Sequence, residues 1–167
     1  MPAGGPYEIT ISDGEKVSFE DVYTGDVWFC SGQSNMGYRL DNVTNAKEEL
    51  ANATNPMIRL LQVSRTMAGT PQKDIEKGTW ETCSPKSSKA FSAVAYFFGK
   101  ELQEKYKVPI GLINSSWGGT NIEAWMSADV MGNHPEAKKV IEQMKGLDFS
   151  TVMSQYDTDS VSYTHLR

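Results

Sequence analysis

Asp26-Val27-Trp28-Phe29-Cys30-Ser31-Gly32-Gln33-Ser34-Asn35-Met36 is an apolar run that stops at Ser31-Gly32, with a serine two residues later. The continuous Val27–Cys30 run predicts a strand buried on both faces, as in a parallel sheet covered by helices. Gly32 then permits a tight turn, and Ser34 stands at the mouth of the sheet. A serine in that position is a nucleophile if neighbouring backbone N–H groups converge beside it. It is equally an N-cap whose oxygen satisfies an orphan helix N–H. The stretch alone leaves both readings open.

Working outward, Tyr7-Glu-Ile-Thr-Ile-Ser12 alternates polar and apolar residues, and Asp13-Gly14 marks a turn before Lys16-Val-Ser-Phe19. This predicts a β-hairpin or the edge of a sandwich. Beyond Ser34 a helix is expected over residues 45–53, then a strand over Met57–Val63. Residues 64–89, rich in Thr, Pro, Gly, Ser and Lys, read as a long surface connection. The clearest helix is residues 93–105. Ser92 is its N-cap, Phe91 and Tyr96 are spaced for a hydrophobic staple, and Val94, Phe97, Phe98 and Leu102 form its apolar face. Residues 110–115 are the next strand. Strand, helix, strand in this order implies right-handed crossovers and an α/β, three-layer architecture: a parallel sheet with helices on both faces.

A second constellation follows that strand. Trp117-Gly118-Gly119-Thr120-Asn121-Ile122-Glu123 joins two glycines to a capping box, with Thr120 as N-cap and Glu123 at N3. Bare glycine N–H groups between a strand end and a helix start can face a ligand oxygen. They can also simply turn the chain. In an open parallel sheet, ligands bind outside the carboxyl ends of the strands, so two Gly-bearing turns at one edge strengthen each other.

Composition narrows the function classes. At 167 residues the chain can bury roughly two-thirds of its unfolded surface. A net charge of −5 with scattered Lys and Arg argues against a nucleic-acid partner. No apolar run approaches the roughly 20 residues of a membrane-spanning helix. There is no Cys/His cluster at metal-ligand spacing and no glycine-rich phosphate loop, so no metal or nucleotide cofactor is expected. The two cysteines, Cys30 and Cys83, leave pairing open.

Three blocks in order, residues 25–36, 91–102 and 108–125, resemble the sialate O-acetylesterases, carbohydrate esterases of the SGNH-hydrolase superfamily. The resemblance runs from Tyr7 to about Ser127. It implies an SGNH/flavodoxin-like fold preceded by the end of a β-rich N-terminal domain. The expected division is 1–20 for the β-rich remnant, 21–160 for an incomplete SGNH domain and 161–167 for a non-native tail. By resemblance Ser34 attacks the acetyl carbonyl of an O-acetylated sugar. The N–H groups of Ser34 and of Gly118 or Gly119 hold the oxyanion, and Gln33, Asn35, Trp117 and Asn121 line the pocket. Relatives are often secreted or periplasmic, and oligomeric state is left open.

The family's base is the His of an Asp-x-x-His motif, accompanied by a Gln-Gly-Glu segment, and neither is present here. His134 is preceded at three residues by Met131, and His165 by Ser162. His134, in Gly-Asn-His-Pro, reads as a surface turn residue. Residues 161–167 resemble one reading frame of a transposase adaptor used in sequencing libraries, and the start resembles the interior of the family's β-rich domain. The expectation is an acetylesterase sequence whose chain is inactive alone. The competing readings are an acetylxylan or other glycan esterase, or a carbohydrate-binding module that keeps the fold without its chemistry.

Overall fold

Alternation at the start of the chain does what it predicts. Strands β1 (Gly4–Asp13) and β2 (Glu15–Thr24) form an antiparallel hairpin. Gly14 turns it with φ 90°, a conformation glycine adopts at no steric cost. Register places Ile9 opposite Phe19 and Ile11 opposite Val17. Asp21, with φ 57°, is a rare left-handed non-glycine residue. The Arg59 guanidinium holds it by a two-pronged bond of 2.7 and 2.8 Å and lies 4.4 Å from the centre of the Tyr23 ring.

The computed structural model describes residues 1–68, 70–144, 147, 148, 151, 152 and 154, so the expected tail 161–167 and His165 lie outside the described residues. The chain divides into two units, Met1–Val63 with Lys77–Gly119, and Ser64–Glu76 with Thr120–Arg167.

The first unit carries a four-stranded sheet in the order β3-β6-β4-β5, with β3 (Asp26–Gly32), β4 (Asn55–Gln62), β5 (Trp80–Cys83) and β6 (Ile110–Ser116). The first three in that order are parallel, whereas β5 runs antiparallel to β4. The sheet is therefore mixed, not purely parallel. Strand β5 falls inside the stretch expected to be connection, because four residues are too few to show a period. Helix α1 (Ala46–Ala51) precedes β4, and α2 (Pro85–Lys89) follows β5. Ser84 caps α2: its hydroxyl accepts from Ser87 N while Ser84 N donates to Ser87 Oγ. Ser84-Pro85 followed by Ser87 was the sequence signal for that helix.

Helix α3 (Ala93–Tyr106) is capped by Ser92, whose Oγ accepts from Ala95 N at 3.1 Å. Its buried side is Ala93, Ala95, Tyr96 and Gly99, while Val94 and Phe98 are exposed. Of the expected face, Phe97 and Leu102 pack against the core, while Val94 and Phe98 lie to its exposed side. A Cβ on Gly99 would stand 2.6 Å from a Leu112 methyl, so glycine lets the helix close on the sheet. Leu112 is 0% exposed and packs in one core with Ile58, Leu60, Ile110, Tyr96 and Ala53.

That core lies on one face of the sheet. Val27 is 62% and Phe29 67% exposed, so the Val27–Cys30 run is not buried on both faces. It is an edge strand with β6 as its neighbour. Only Cys30 is buried, while the Trp28 ring meets Phe98 of α3 edge-on at 5.1 Å. Within this unit the described residues show no helix on the opposite face. The second unit contains a 3₁₀ turn (Ile122–Trp125), α4 (Ala128–Met131) and α5 (Pro135–Met144). No described helix is long and apolar enough to cross a membrane.

The Asp21–Arg59 pair gives a pH signature. Bonding to Arg59 holds the Asp21 carboxyl below its ordinary value. A depressed folded-state value means the contribution is complete above the usual carboxylate range and is lost as pH falls through that depressed value. Asp21→Asn keeps a residue that tolerates the left-handed backbone. Its melting temperature should fall below that of the parent at pH 7 and converge with it in strong acid. A constant gap across pH would remove the charge from the explanation.

Candidate active site

Strands β3 and β6 run parallel with Gly32 paired to Ser116, so their carboxyl ends, and the turns that follow, lie side by side. Trp117 N donates to Gly32 O at 3.0 Å and ties the two turns together. Gly32, at φ 152°, lets the chain leave the strand at an angle an L side chain resists. A single helical turn follows, closed by Gly37 N donating to Gln33 O at 2.9 Å and Tyr38 N to Asn35 O at 3.3 Å.

Ser34 sits exposed on that turn. No hydrogen bond engages its hydroxyl among the described residues, so its oxygen is not used as a cap. A Cβ on Gly118 would lie 3.2 Å from Ser34 Cβ, 3.3 Å from its Cα and 3.5 Å from its N. The backbone of the second turn therefore passes directly against Ser34, an approach that only glycine makes without pushing. Gly119 follows at φ 79° with open space where a side chain would be. Gln33 and Asn35 flank Ser34 and are exposed, and Trp117 is half-buried. Ser34, Gly118 and Trp117 are thus brought together. Asn121 belongs to the second unit, where it is exposed before the 3₁₀ turn.

The capping box expected there does not form. Thr120 Oγ1 accepts from the Trp125 indole N–H at 2.8 Å, and Asn121, not Thr120, precedes the turn. The indole is the stronger claimant because a one-turn 3₁₀ segment offers a hydroxyl few helical N–H groups.

What supports the Ser34 turn was not legible in the sequence. Ser92 is read there only as a cap, yet its Oγ also donates to Met36 Sδ at 3.5 Å. Ala93 N donates to Tyr38 O at 2.8 Å, and Leu40 N to Phe91 O at 3.0 Å. The head of α3 thereby grips the chain leaving the serine turn. Beneath it, Ser116 Oγ would stand 3.3 Å from a Cβ on Gly37. Asn114 Nδ2 donates to Gln62 Oε1 at 2.8 Å and locks β6 to β4 just before the glycine turn.

Other nucleophiles are poor candidates. Cys30 and Cys83 are free and buried, and burial pushes both thiols up from their ordinary values, which disfavours thiolate. His134 is exposed between α4 and α5, as expected for a turn residue. Among the described residues no group of three His, Cys, Asp or Glu side chains could hold a metal ion.

An exposed serine packed against a glycine turn at the carboxyl ends of two parallel strands can present a hydroxyl and backbone donors to one acyl group. Residues 24–151 match the family described as carbohydrate esterase, sialic acid-specific acetylesterase. The chain belongs to this family.

Members of the sialic acid-specific acetylesterase family similar to this chain include the sialate O-acetylesterases of Pongo abelii, 43% identical over 140 residues, and Homo sapiens, 42% identical. Each alignment covers 76% of this chain and 27% of the relative. A carbohydrate acetylesterase from Xanthomonas citri matches in structure with a TM-score of 0.74 and 40% identity, over 78% of this chain and 30% of that one. The chain spans about a quarter to a third of the length of these relatives.

Proposed function

We propose that this chain carries the nucleophile half of a serine esterase that removes O-acetyl groups from sialic acid. The observation behind the reading is the close approach of Gly118 to Ser34 at paired strand ends. In the proposed reaction Ser34 Oγ attacks the acetyl carbonyl carbon and the sugar oxygen leaves with a proton. Water then cleaves the acetyl-enzyme to acetate and restores the hydroxyl. The N–H groups of Ser34 and of Gly118 or Gly119 are the proposed oxyanion donors, each worth roughly 3 kcal/mol. Gln33, Asn35, Trp117 and Asn121 are the proposed pocket residues. The proposed frame is a three-layer SGNH-type domain over 21–160, with 1–20 from a β-rich domain.

The general base in this proposal is an Asp-x-x-His histidine, which the sequence of this chain does not contain. The family resemblance implies that this motif follows the matching stretch, so joining the chain to the corresponding later part of the human relative is expected to supply it. A folded chimera should release acetate from 9-O-acetylated sialic acid, and Ser34→Ala should abolish the release. Release that survives Ser34→Ala would overturn the nucleophile assignment. Ser34-dependent release from acetylated xylan alone would move the substrate to another acetylated glycan, a reading favoured by the broader name of the Xanthomonas citri protein.

A further inference from the structure

The other end of the same sheet holds a cleft. It is a cavity of about 360 Å³ at the amino ends of β3 and β6, lined by Asp21, Tyr23, Val27, Arg59, Trp80 and Gly111 among others. Six strand steps of about 3.3 Å separate Asp26 from Gly32, so the cleft lies roughly 20 Å from the serine turn. It plays no part in the acyl chemistry proposed for Ser34.

Its walls have two characters. Trp80 is 46% exposed, and its ring edge comes within 3.2 Å of where a Gly111 Cβ would be, as does a methyl of Val27. Glycine at 111 therefore lets the aromatic ring and the aliphatic side chain close over β6 as an apolar surface. On the rim, Asp21 is fixed by the Arg59 fork, and Arg59 is itself stacked on Tyr23. These polar groups are oriented before any ligand arrives, which reduces the ordering cost of binding. Asp26 adds an exposed carboxylate to the same cleft.

A flat apolar ring beside one fixed carboxylate, one exposed carboxylate and a guanidinium matches a sugar, whose pyranose has a C–H face and a hydroxyl rim. The volume is at the small end of ligand pockets, suited to one or two rings. Two carboxylates against one guanidinium leave an acidic excess, which repels an acidic sugar and admits a neutral one. We propose that this cleft is a carbohydrate-binding site for a neutral pyranose of the glycan. The glycan as the source of the ligand rests on the esterase reading above, whereas the cleft's chemistry does not.

The test is an amide and indole NMR titration of the 167-residue chain with lactose, and separately with N-acetylneuraminic acid. Lactose should shift Val27, Gly111 and the Trp80 indole at millimolar concentration, and N-acetylneuraminic acid should bind at least about tenfold more weakly. Trp80→Ala should remove the lactose response. If Trp80→Ala does not fold, Gly111→Ala, whose methyl would crowd Val27 and displace the Trp80 ring, should weaken binding by about tenfold. Ser34→Ala should leave it unchanged, which separates this result from the esterase test. Absence of lactose shifts, shifts that persist in both cleft variants, or equal binding of the acidic sugar would overturn the proposal.

Discussion

The purified 167-residue chain should hydrolyse p-nitrophenyl acetate no faster than its Ser34→Ala variant. The alkoxide of a serine is scarce at neutral pH, and a hydroxyl attacks an ester efficiently only when a base removes its proton. Loss of the histidine from a serine triad costs about a millionfold in turnover. From ordinary enzymatic rates of roughly 1 to 10³ per second, that leaves about 10⁻⁶ to 10⁻³ per second. Reaction of p-nitrophenyl acetate with surface lysines would exceed it and be common to both proteins. The measured quantity is therefore the difference between parent and variant. A Ser34-dependent rate on the order of 1 per second would mean that this chain carries its own base, and the proposed division of the active site would be wrong.

Gly25→Ala is the structural substitution expected to cost most. Gly25 joins the hairpin to β3, and the next residue, Asp26, donates its N–H to Pro109 O at 3.0 Å. A Cβ on Gly25 would stand 2.0 Å from that same oxygen and 2.7 Å from the Pro109 carbonyl carbon. The obstacle is backbone at the entry to β6, so no rotamer change relieves it. The variant must pull β3 away from β6 at the pair Asp26 and Ile110. A cost of about 3 kcal/mol, the upper end of ordinary overpacking, corresponds to a fall of about 6 to 12 °C in melting temperature for a chain of this size. Calorimetry or circular dichroism on the purified protein checks it. A variant melting within about 2 °C of the parent would show that the hairpin junction yields freely.

Family membership was legible in three blocks of sequence, and local chemistry made much of the fold legible as well. Alternation around Asp13-Gly14 predicted the hairpin, and Ser92 before the Ala93–Tyr106 helix predicted its start to the residue. Both are local effects, decided within a few residues. Half of the helix's expected inward face holds: Phe97 and Leu102 pack against the core, whereas Val94 and Phe98 are exposed and a glycine takes the closest contact. Packing preferred Gly99, since Leu112 needs the space. Strand β5 was missed for a related reason: Trp80-Glu-Thr-Cys83 has no period, and it is a strand because β4 offers a free edge. The Thr120 cap was lost to the Trp125 indole, a contact no capping rule contains.

By itself, then, the sequence determined the family, the hairpin, the serine turn and the glycine turn, because turns and caps answer to neighbouring residues. Tertiary structure alone decided that Gly118 lies against Ser34. The two are 84 positions apart, and they meet because β6 pairs with β3 in a register that sets Ser116 beside Gly32. It also decided that Val27 and Phe29 stand exposed. Burial of a strand depends on what covers it, and an apolar run states only what it could bury.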